Sequence, residues 1–439
     1  MVDLKSWYGG AEIKNPLICG AGPPTHTPEA CKRASDAGFA GVVLKTHAAK
    51  EAPWILTHTV GTPVYILADF KGTDFWRPTP PNKLSPKIRG IKGELKPEFS
   101  LVGCYPGVIL SYFLGEDYVE YANRTKDLVK DDCLVIGSIV AFTKEGWIEQ
   151  CELINRTNVD LVEINLGCPA ALPEEECYPG VIPGAALSAA PSVVEAFTAI
   201  VVKHLNVPVI VKLHPQLANS LLSAQAAVRG GAIGITCGGS SFFPSIRIDI
   251  ETATPGWHPR YPTWHGIWGH WVIPYVCGQI ANMRLKGITI DISASGGASS
   301  FEDIVRFFMA GASSVQPCRE IMVQGWNVAT KWLEELETWM ETKGYSSIME
   351  MKGIAADKII TDYSKLDLPI PQIMGGPEPK YKMVVDNRKC IDCGWCGACC
   401  SHLAIKIENG LPNWELKKCE LCGLCEAICP VKAISMVPK

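Results

Sequence analysis

The sequence predicts an α/β chain in two parts, a (β/α)8 TIM barrel followed by a small α+β domain. Three observations carry this expectation. Short apolar runs alternate with amphipathic stretches over about 340 residues, as a parallel sheet with covering helices requires. A Pro/Gly-rich stretch then interrupts the chain at residues 368–380. Beyond it, nine of the 19 cysteines crowd between Cys390 and Cys429.

The alternation runs in order along the chain. Pro16 to Ala21 precedes a helical Pro28 to Ala37, and Gly41 to Lys45 reads as the second strand. Leu134 to Val140 is followed by Lys144 to Thr157, Leu161 to Leu166 by Ser192 to His204, and Val207 to Leu213 by Asn219 to Arg229. Ile233 to Cys237, then Ile288 to Ser293 with Phe301 to Met309, then Ser314 to Gln316 with a helix over Ile321 to Lys343, complete the series. Seven or eight such units suffice to close a barrel, whose chemistry sits on the loops after the strands. Four prolines and two adjacent glycines in residues 368–380 suit an extended linker and cannot continue a helix. The expected organisation is a catalytic barrel over 1–345, a connecting segment over 346–380 and the small domain over 381–439.

Composition narrows the function classes. At 47% hydrophobic and 20% charged the chain is an ordinary globular one, and a net charge of −4 provides no basic field for nucleic acid. No basic segment followed by an apolar run opens it, and no stretch of about 18 uncharged apolar residues occurs, so the expected location is cytoplasmic. In that reducing compartment cysteines bind metals or do chemistry instead of forming disulfides.

Cys390, Cys393, Cys396 and Cys400 follow C-x2-C-x2-C-x3-C, and Cys419, Cys422, Cys425 and Cys429 repeat the spacing with Pro430 immediately after. This is the run that holds two 4Fe-4S clusters, with the fourth cysteine of each run crossing to the other cluster. Structural zinc sites also use C-x2-C, but usually as two pairs set well apart. The first run ends Cys399-Cys400-Ser401 without the proline, which leaves Cys399 as an alternative ligand although the spacing favours Cys400.

Five strand ends in the barrel carry distinctive residues: Cys19 to Thr25, Lys45-Thr46, Asn165 to Pro169, Lys212-Leu213 and Ala294 to Gly297. Paired glycines before a helix present backbone N–H groups to a phosphate. A lysine buried at a strand end needs an anionic partner, either a structural carboxylate or a reduced flavin.

Together these residues resemble the dihydroorotate dehydrogenase superfamily, and among its members the dihydropyrimidine dehydrogenases, whose flavin barrel precedes a two-cluster ferredoxin-like domain. The likeness runs from Ile13-Lys-Asn-Pro16 through Val43-Leu-Lys-Thr46, Glu163-Ile-Asn-Leu-Gly-Cys-Pro169, Val211-Lys-Leu213, Ser293-Ala-Ser-Gly-Gly297 and Gly311 to Gln316 into the cysteine runs. The resemblance implies FMN, lined by Ala21, Gly22, Lys45, Thr46 and Asn165, with Lys212 near its N1 and O2 edge. Gly269, Gly296, Gly297, Cys318 and Arg319 would hold the phosphate. Cys168 would be the acid/base that moves a proton while FMN N5 moves a hydride, a role that suits a thiol of ordinary pKa; a free cysteine is otherwise a small buried apolar residue.

The pocket departs from the family. An expected Asn-Thr pair falls on Gly239-Ser240, and residues 103–112 hold no asparagine. Each lost amide removes a partner for a pyrimidine ring. Asn165, Ser240, His265 and His270 are the candidate substrate contacts. The last two lie in residues 256–275, with four tryptophans, three histidines and Arg260, a composition suited to a larger, flatter or acidic substrate or to an aromatic packing loop.

The expected reaction is reversible reduction of a polarised carbon–carbon double bond in a small cyclic substrate, with electrons passing through the clusters. No G-x-G-x-x-G opens a helix after a strand, so the expected electron donor is a partner: an NAD(P)H/FAD-dependent flavoprotein subunit or a ferredoxin, within a homo- or hetero-oligomer. A non-catalytic FMN/iron–sulfur relay within a larger complex is the alternative.

Overall fold

The structure is a computed structural model describing residues 2–49, 64–68, 100–104, 111, 113–167, 187–214, 220–238, 242–245, 248, 250–255, 265–362, 365–366 and 380–439. The chain divides into two compact units, Met1–Lys358 and Ile359–Lys439.

The first unit is a barrel of eight parallel strands: β1 (Ile18–Cys19), β2 (Gly41–Val43), β3 (Leu134–Val140), β4 (Leu161–Asn165), β5 (Val209–Lys212), β6 (Gly234–Gly238), β7 (Asp291–Ser295) and β8 (Ser314–Gln316). They lie in sequential order. A parallel bridge between Leu17 and Val315, with hydrogen bonds from Val315 N to Pro16 O at 2.8 Å and from Gly20 N to Pro317 O at 3.0 Å, joins the last strand to the first.

Helices follow the strands: α1 (Pro28–Asp36), α2 (Glu116–Leu128), α3 (Lys144–Ile154), α4 (Pro191–His204), α5 (Ser220–Arg229), α6 (Ile273–Leu285), α7 (Phe301–Ala310) and α8 (Val328–Lys343). Local signals start and stop them. Thr27 caps α1 by accepting from Ala30 N, and Thr143 caps α3 by accepting from Gly146 N. Gly311 ends α7 in the left-handed region at φ 119°. The helix expected over Ile321 to Lys343 is two helices, Arg319–Gln324 and α8, because Gly325 at φ 89° breaks the path. The strand expected from Ile288 begins at Asp291: Ile288 N returns to Met283 O and so closes the end of α6 instead.

Alternation along the strands sorts the core. Leu17, Val42, Val135, Val162, Ile164, Val211, Ile235 and Val315 belong to the large core shared with the helices. Ile18, Val43, Ile136, Leu161 and Ile210 point the other way, into the barrel, where they pack with Tyr8 and Ile13. Those two come from a hairpin, Ser6–Tyr8 with Ala11–Ile13, that plugs the N-terminal end of the barrel. Its turn needs Gly9, at φ 55°, where an added Cβ would stand 2.7 Å from Ile210 Cδ1.

Two excursions leave the C-terminal ends of β2 and β6 and pair with one another. Phe242–Ser245, His265–Gly269, Ser100–Cys104 and Val64–Ala68 form a four-stranded antiparallel sheet in that order. Part of the segment expected to connect the domains packs on the barrel: Ile348 and Met351 are fully buried, and Ser347 bridges Asp3.

In the second unit Tyr381–Val385 pairs antiparallel with Ile434–Pro438, and Ile405–Glu408 with Leu411–Trp414. One-turn helices span Trp395–Ala398 and Leu424–Ala427. Its core is small, with Met383, Leu421 and Ile434 buried among the cysteines. The linker residues 367–379 lie outside the described residues.

Candidate active site and cluster sites

The residues singled out at the strand ends converge on the C-terminal mouth of the barrel. Lys45 and Thr46 follow β2, Asn165 ends β4, Lys212 ends β5, Gly296 and Gly297 follow β7, and Cys318 and Arg319 follow β8. Position decides their direction. Val43, Ile136, Leu161 and Ile210 line the barrel interior, so residues two and four further along the same strands point the same way. The interior therefore changes from apolar at the floor to polar at the mouth.

Lys45 and Lys212 are each 5% exposed. Lys212 Nζ lies 3.5 Å from Glu163 Oε1. The neighbouring Oε2 of Glu163 accepts from Thr236 Oγ1 at 2.6 Å, Gln316 Nε2 at 3.0 Å and Tyr8 OH at 3.3 Å. Asn165 Nδ2 donates to Thr46 Oγ1 at 3.2 Å, whose oxygen lies 2.9 Å from Ser138 Oγ, while Asn165 Oδ1 accepts from Gly167 N at 3.2 Å.

Cys318 faces Gly22 closely: a Cβ on Gly22 would fall 2.2 Å from Cys318 Sγ. Burial raises the Cys318 thiol, and the charges of Lys45 and Lys212 pull it back. Burial, assisted by the charge of Lys45, lowers the His26 imidazole to about 4. The mouth thus carries positive charge in a desolvated setting.

Beside it, Gly296 and Gly297 adopt φ 99° and 86°, and a Cβ on Gly297 would stand 2.9 Å from Gly269 O. Arg319 is buried and pairs with the buried Glu320; burial lowers it to about 10, so it remains a cation at neutral pH. His270 Nε2 lies 3.2 Å from Asp303 Oδ1. Burial would raise the Asp303 carboxyl, but His270, the Ser299 N–H and Arg306 together hold it below its ordinary value. Two buried lysines, a buried arginine and a backbone cradle that side chains would fill are the donor set that an anionic, phosphate-bearing ring requires, so the residues present fit FMN.

Cys168 and Ser240 lie outside the described residues, as do Trp257 through Trp264. His265 is described by its backbone, on the strand that pairs with Ser100–Cys104. Glu163, Thr236, Gln316, Asp303 and Glu320 join the site although no sequence motif marks them as site residues. Period-two counting finds the first three: Glu163 lies two beyond the inward Leu161, and Thr236 and Gln316 follow the outward Ile235 and Val315.

The second unit repeats itself around its cysteines. Gly394 and Gly423 start equivalent helical turns at φ 71° and 75°. Ala404 N donates to Cys400 Sγ at 3.3 Å, and Ala433 N to Cys429 Sγ at 3.2 Å. One concavity is lined by Cys390, Cys393, Cys396 and Cys429, the other by Cys419, Cys422, Cys425 and Cys400 together with Cys396 and Cys399. Burial would raise the Cys429 thiol, but backbone N–H groups of Ala433, Val431, Ile434 and Lys432 hold it below its ordinary value. Thiols lining a concavity and served by backbone N–H donors fit an iron–sulfur cluster. Among the described residues no three His, Cys, Asp or Glu side chains are grouped so as to hold one metal ion.

Residues 114–340 match the dihydroorotate dehydrogenase family. The chain belongs to that family. Residues 412–435 match the 4Fe-4S binding domain. Relatives include the NAD-dependent dihydropyrimidine dehydrogenase subunit PreA of Escherichia coli, 24% identical over 403 residues that cover 91% of this chain and 85% of the relative. The chloroplastic dihydropyrimidine dehydrogenase (NADP(+)) of Arabidopsis thaliana is 25% identical over 80% of this chain and 76% of its own. The catalytic subunit of dihydroorotate dehydrogenase B (NAD(+)) of Methanosarcina mazei is 31% identical over 58% and 72%. This dihydroorotate dehydrogenase family member is an oxidoreductase acting on CH–CH groups, a flavoprotein with an iron–sulfur domain. Among its described residues no helix is long and apolar enough to cross a membrane.

Proposed function

We propose that this chain reversibly reduces a polarised carbon–carbon double bond in a planar cyclic substrate, using FMN at the barrel mouth and two 4Fe-4S clusters in the second unit. The observation that carries the reading is the convergence of Lys45, Lys212 and Asn165 with the glycine cradle of Gly22, Gly296 and Gly297 at one mouth. FMN bound there supplies a hydride at N5 and exchanges single electrons with the clusters.

The chain's own residues do the rest. Lys212 presents its ammonium to the N1 and O2 edge of the ring, Lys45, Thr46, Ala21, Gly22 and Asn165 line it, and Gly269, Gly296, Gly297, Cys318 and Arg319 hold the phosphate. Asn165 also braces Gly167, immediately before Cys168, and Cys168 delivers the proton. Cys390, Cys393 and Cys396 with Cys429, and Cys419, Cys422 and Cys425 with Cys400, hold the clusters.

The substrate is a relative of the dihydropyrimidines, not an ordinary one, because the amides that would pair with the ring are replaced around Gly239-Ser240 and absent from residues 103–112. Ser240 and the His265 and His270 segment shape that pocket. Electrons reach the clusters from a partner, an NAD(P)H/FAD-dependent flavoprotein subunit or a ferredoxin.

An anaerobic screen tests this. Purified holoprotein is mixed with dihydropyrimidines, dihydroorotate and larger flat acidic ring compounds while the flavin band is followed. At least one reduced ring compound should bleach it, and a Cys168→Ala variant should retain FMN yet slow the step about 100-fold or more. No compound-dependent flavin change in the unaltered protein would overturn the reading.

A further inference from the structure

Glu163 has no solvent exposure, and it stands beneath Lys212 inside the barrel. A carboxylate so placed is costly unless its charge is met. The structure meets the two oxygens differently. Oε2 collects the hydroxyl of Thr236, the amide of Gln316 and the phenol of Tyr8, while Oε1 faces the ammonium of Lys212 at 3.5 Å. Gln316 Nε2 also lies 3.1 Å from both Tyr8 OH and Thr236 Oγ1, so the three donors brace one another and leave the carboxylate a single orientation. Tyr8 comes from the hairpin that plugs the floor, and Lys212 ends its strand on the mouth side.

We infer that Glu163 is a positioning residue that aims Lys212 at the mouth and offsets part of its charge, so that bound FMN is a stronger reductant than an uncompensated lysine would make it. The inference rests on the reading above that Lys212 lies beside the N1 and O2 edge of the flavin. A cation near that edge favours the reduced, anionic ring over the oxidised one, and a carboxylate 3.5 Å behind the cation weakens that preference.

The test is the two-electron midpoint potential of FMN in the anaerobic holoprotein, measured for the unaltered chain, Glu163→Gln, Lys212→Met and the double variant. Glu163→Gln keeps the shape and removes the charge. It should raise the preference for reduced over oxidised FMN about tenfold, an upward shift of about 30 mV for a two-electron couple. Lys212→Met should shift the potential downward, and adding Glu163→Gln to it should raise the potential by less than Glu163→Gln does alone, because the part of its effect that runs through aiming the lysine is lost. A purely structural Glu163 would change thermal stability without moving the potential.

If Lys212→Met lowers the potential while Glu163→Gln leaves it in place, the inference is overturned and the placement of Lys212 stands. If Lys212→Met has no effect, that placement fails and the inference falls with it. An upward shift from Glu163→Gln that persists in full without Lys212 overturns action through the lysine. Should Glu163→Gln not accumulate as holoprotein, Thr236→Val replaces it: with one neutral donor fewer, more of the carboxylate's charge falls on Lys212, and a smaller downward shift is expected. No shift there overturns the inference.

Discussion

Asn165 Nδ2 donates to Thr46 Oγ1 at 3.2 Å, and Ser138 Oγ lies 2.9 Å from the same oxygen, so β2, β3 and β4 are tied together at the barrel mouth. The other end of the Asn165 amide accepts from Gly167 N. One side chain thereby fixes both a strand end and the start of the loop that carries Cys168. Asn165→Ala leaves Thr46 and the Gly167 N–H without this partner, at about 1–3 kcal/mol. FMN is expected to bind apoprotein about 10- to 100-fold more weakly, read by fluorescence titration, with the barrel still folded by circular dichroism.

Gly22 is required for space and not for conformation, since its φ of 175° is extended backbone open to any residue. Gly22→Ala drives a methyl group into Cys318 Sγ, and overpacking of this kind costs about 1–3 kcal/mol. Lower FMN occupancy and a lower melting temperature should follow. Adding Cys318→Ala to Gly22→Ala should restore the melting temperature, which a generally disruptive substitution would not allow.

The repeat in the second unit makes Cys400 the counterpart of Cys429, each receiving a backbone N–H from the residue four positions on. Cys399 lines the same concavity but has no such counterpart in the second run. Cys400→Ser should lower iron from about eight atoms per chain toward about four, the content of a single 4Fe-4S cluster, and remove one of two cluster signals in electron paramagnetic resonance. Cys399→Ser should leave both signals in place.

Burial lowers His214 to about 4, so it stays neutral in the folded chain while the unfolded chain protonates it near pH 6.5. Between pH 6.5 and 4 the unfolded state therefore binds more protons. Stability from this group is fully present above pH 6.5 and is lost as pH falls through that window, by up to about 3 kcal/mol. His214→Gln should flatten the fall in melting temperature between pH 7 and 5 relative to the unaltered chain. An identical slope in the two proteins would contradict this account.

The order of strands and helices and the two cysteine runs were legible in the sequence because they depend on local periods: apolar runs of strand length and three-residue cysteine spacing. The lysines, glycines and Asn165 at strand ends were legible because a parallel barrel puts every strand end on one face. What the tertiary structure alone decided are relationships between distant residues. Gly325 divides a segment that reads as one helix, and the excursions after β2 and β6 pair through Gly266 and Cys104, a register that no local period encodes. Lys212 is given Glu163 as its counter-ion because β4 and β5 are neighbours in one closed sheet, with Asn165 opposite Lys212 and both side chains facing inward. Sequence spacing supplied the charges; closure of the barrel, which removes them from water and sets their distances, decided which of them meet.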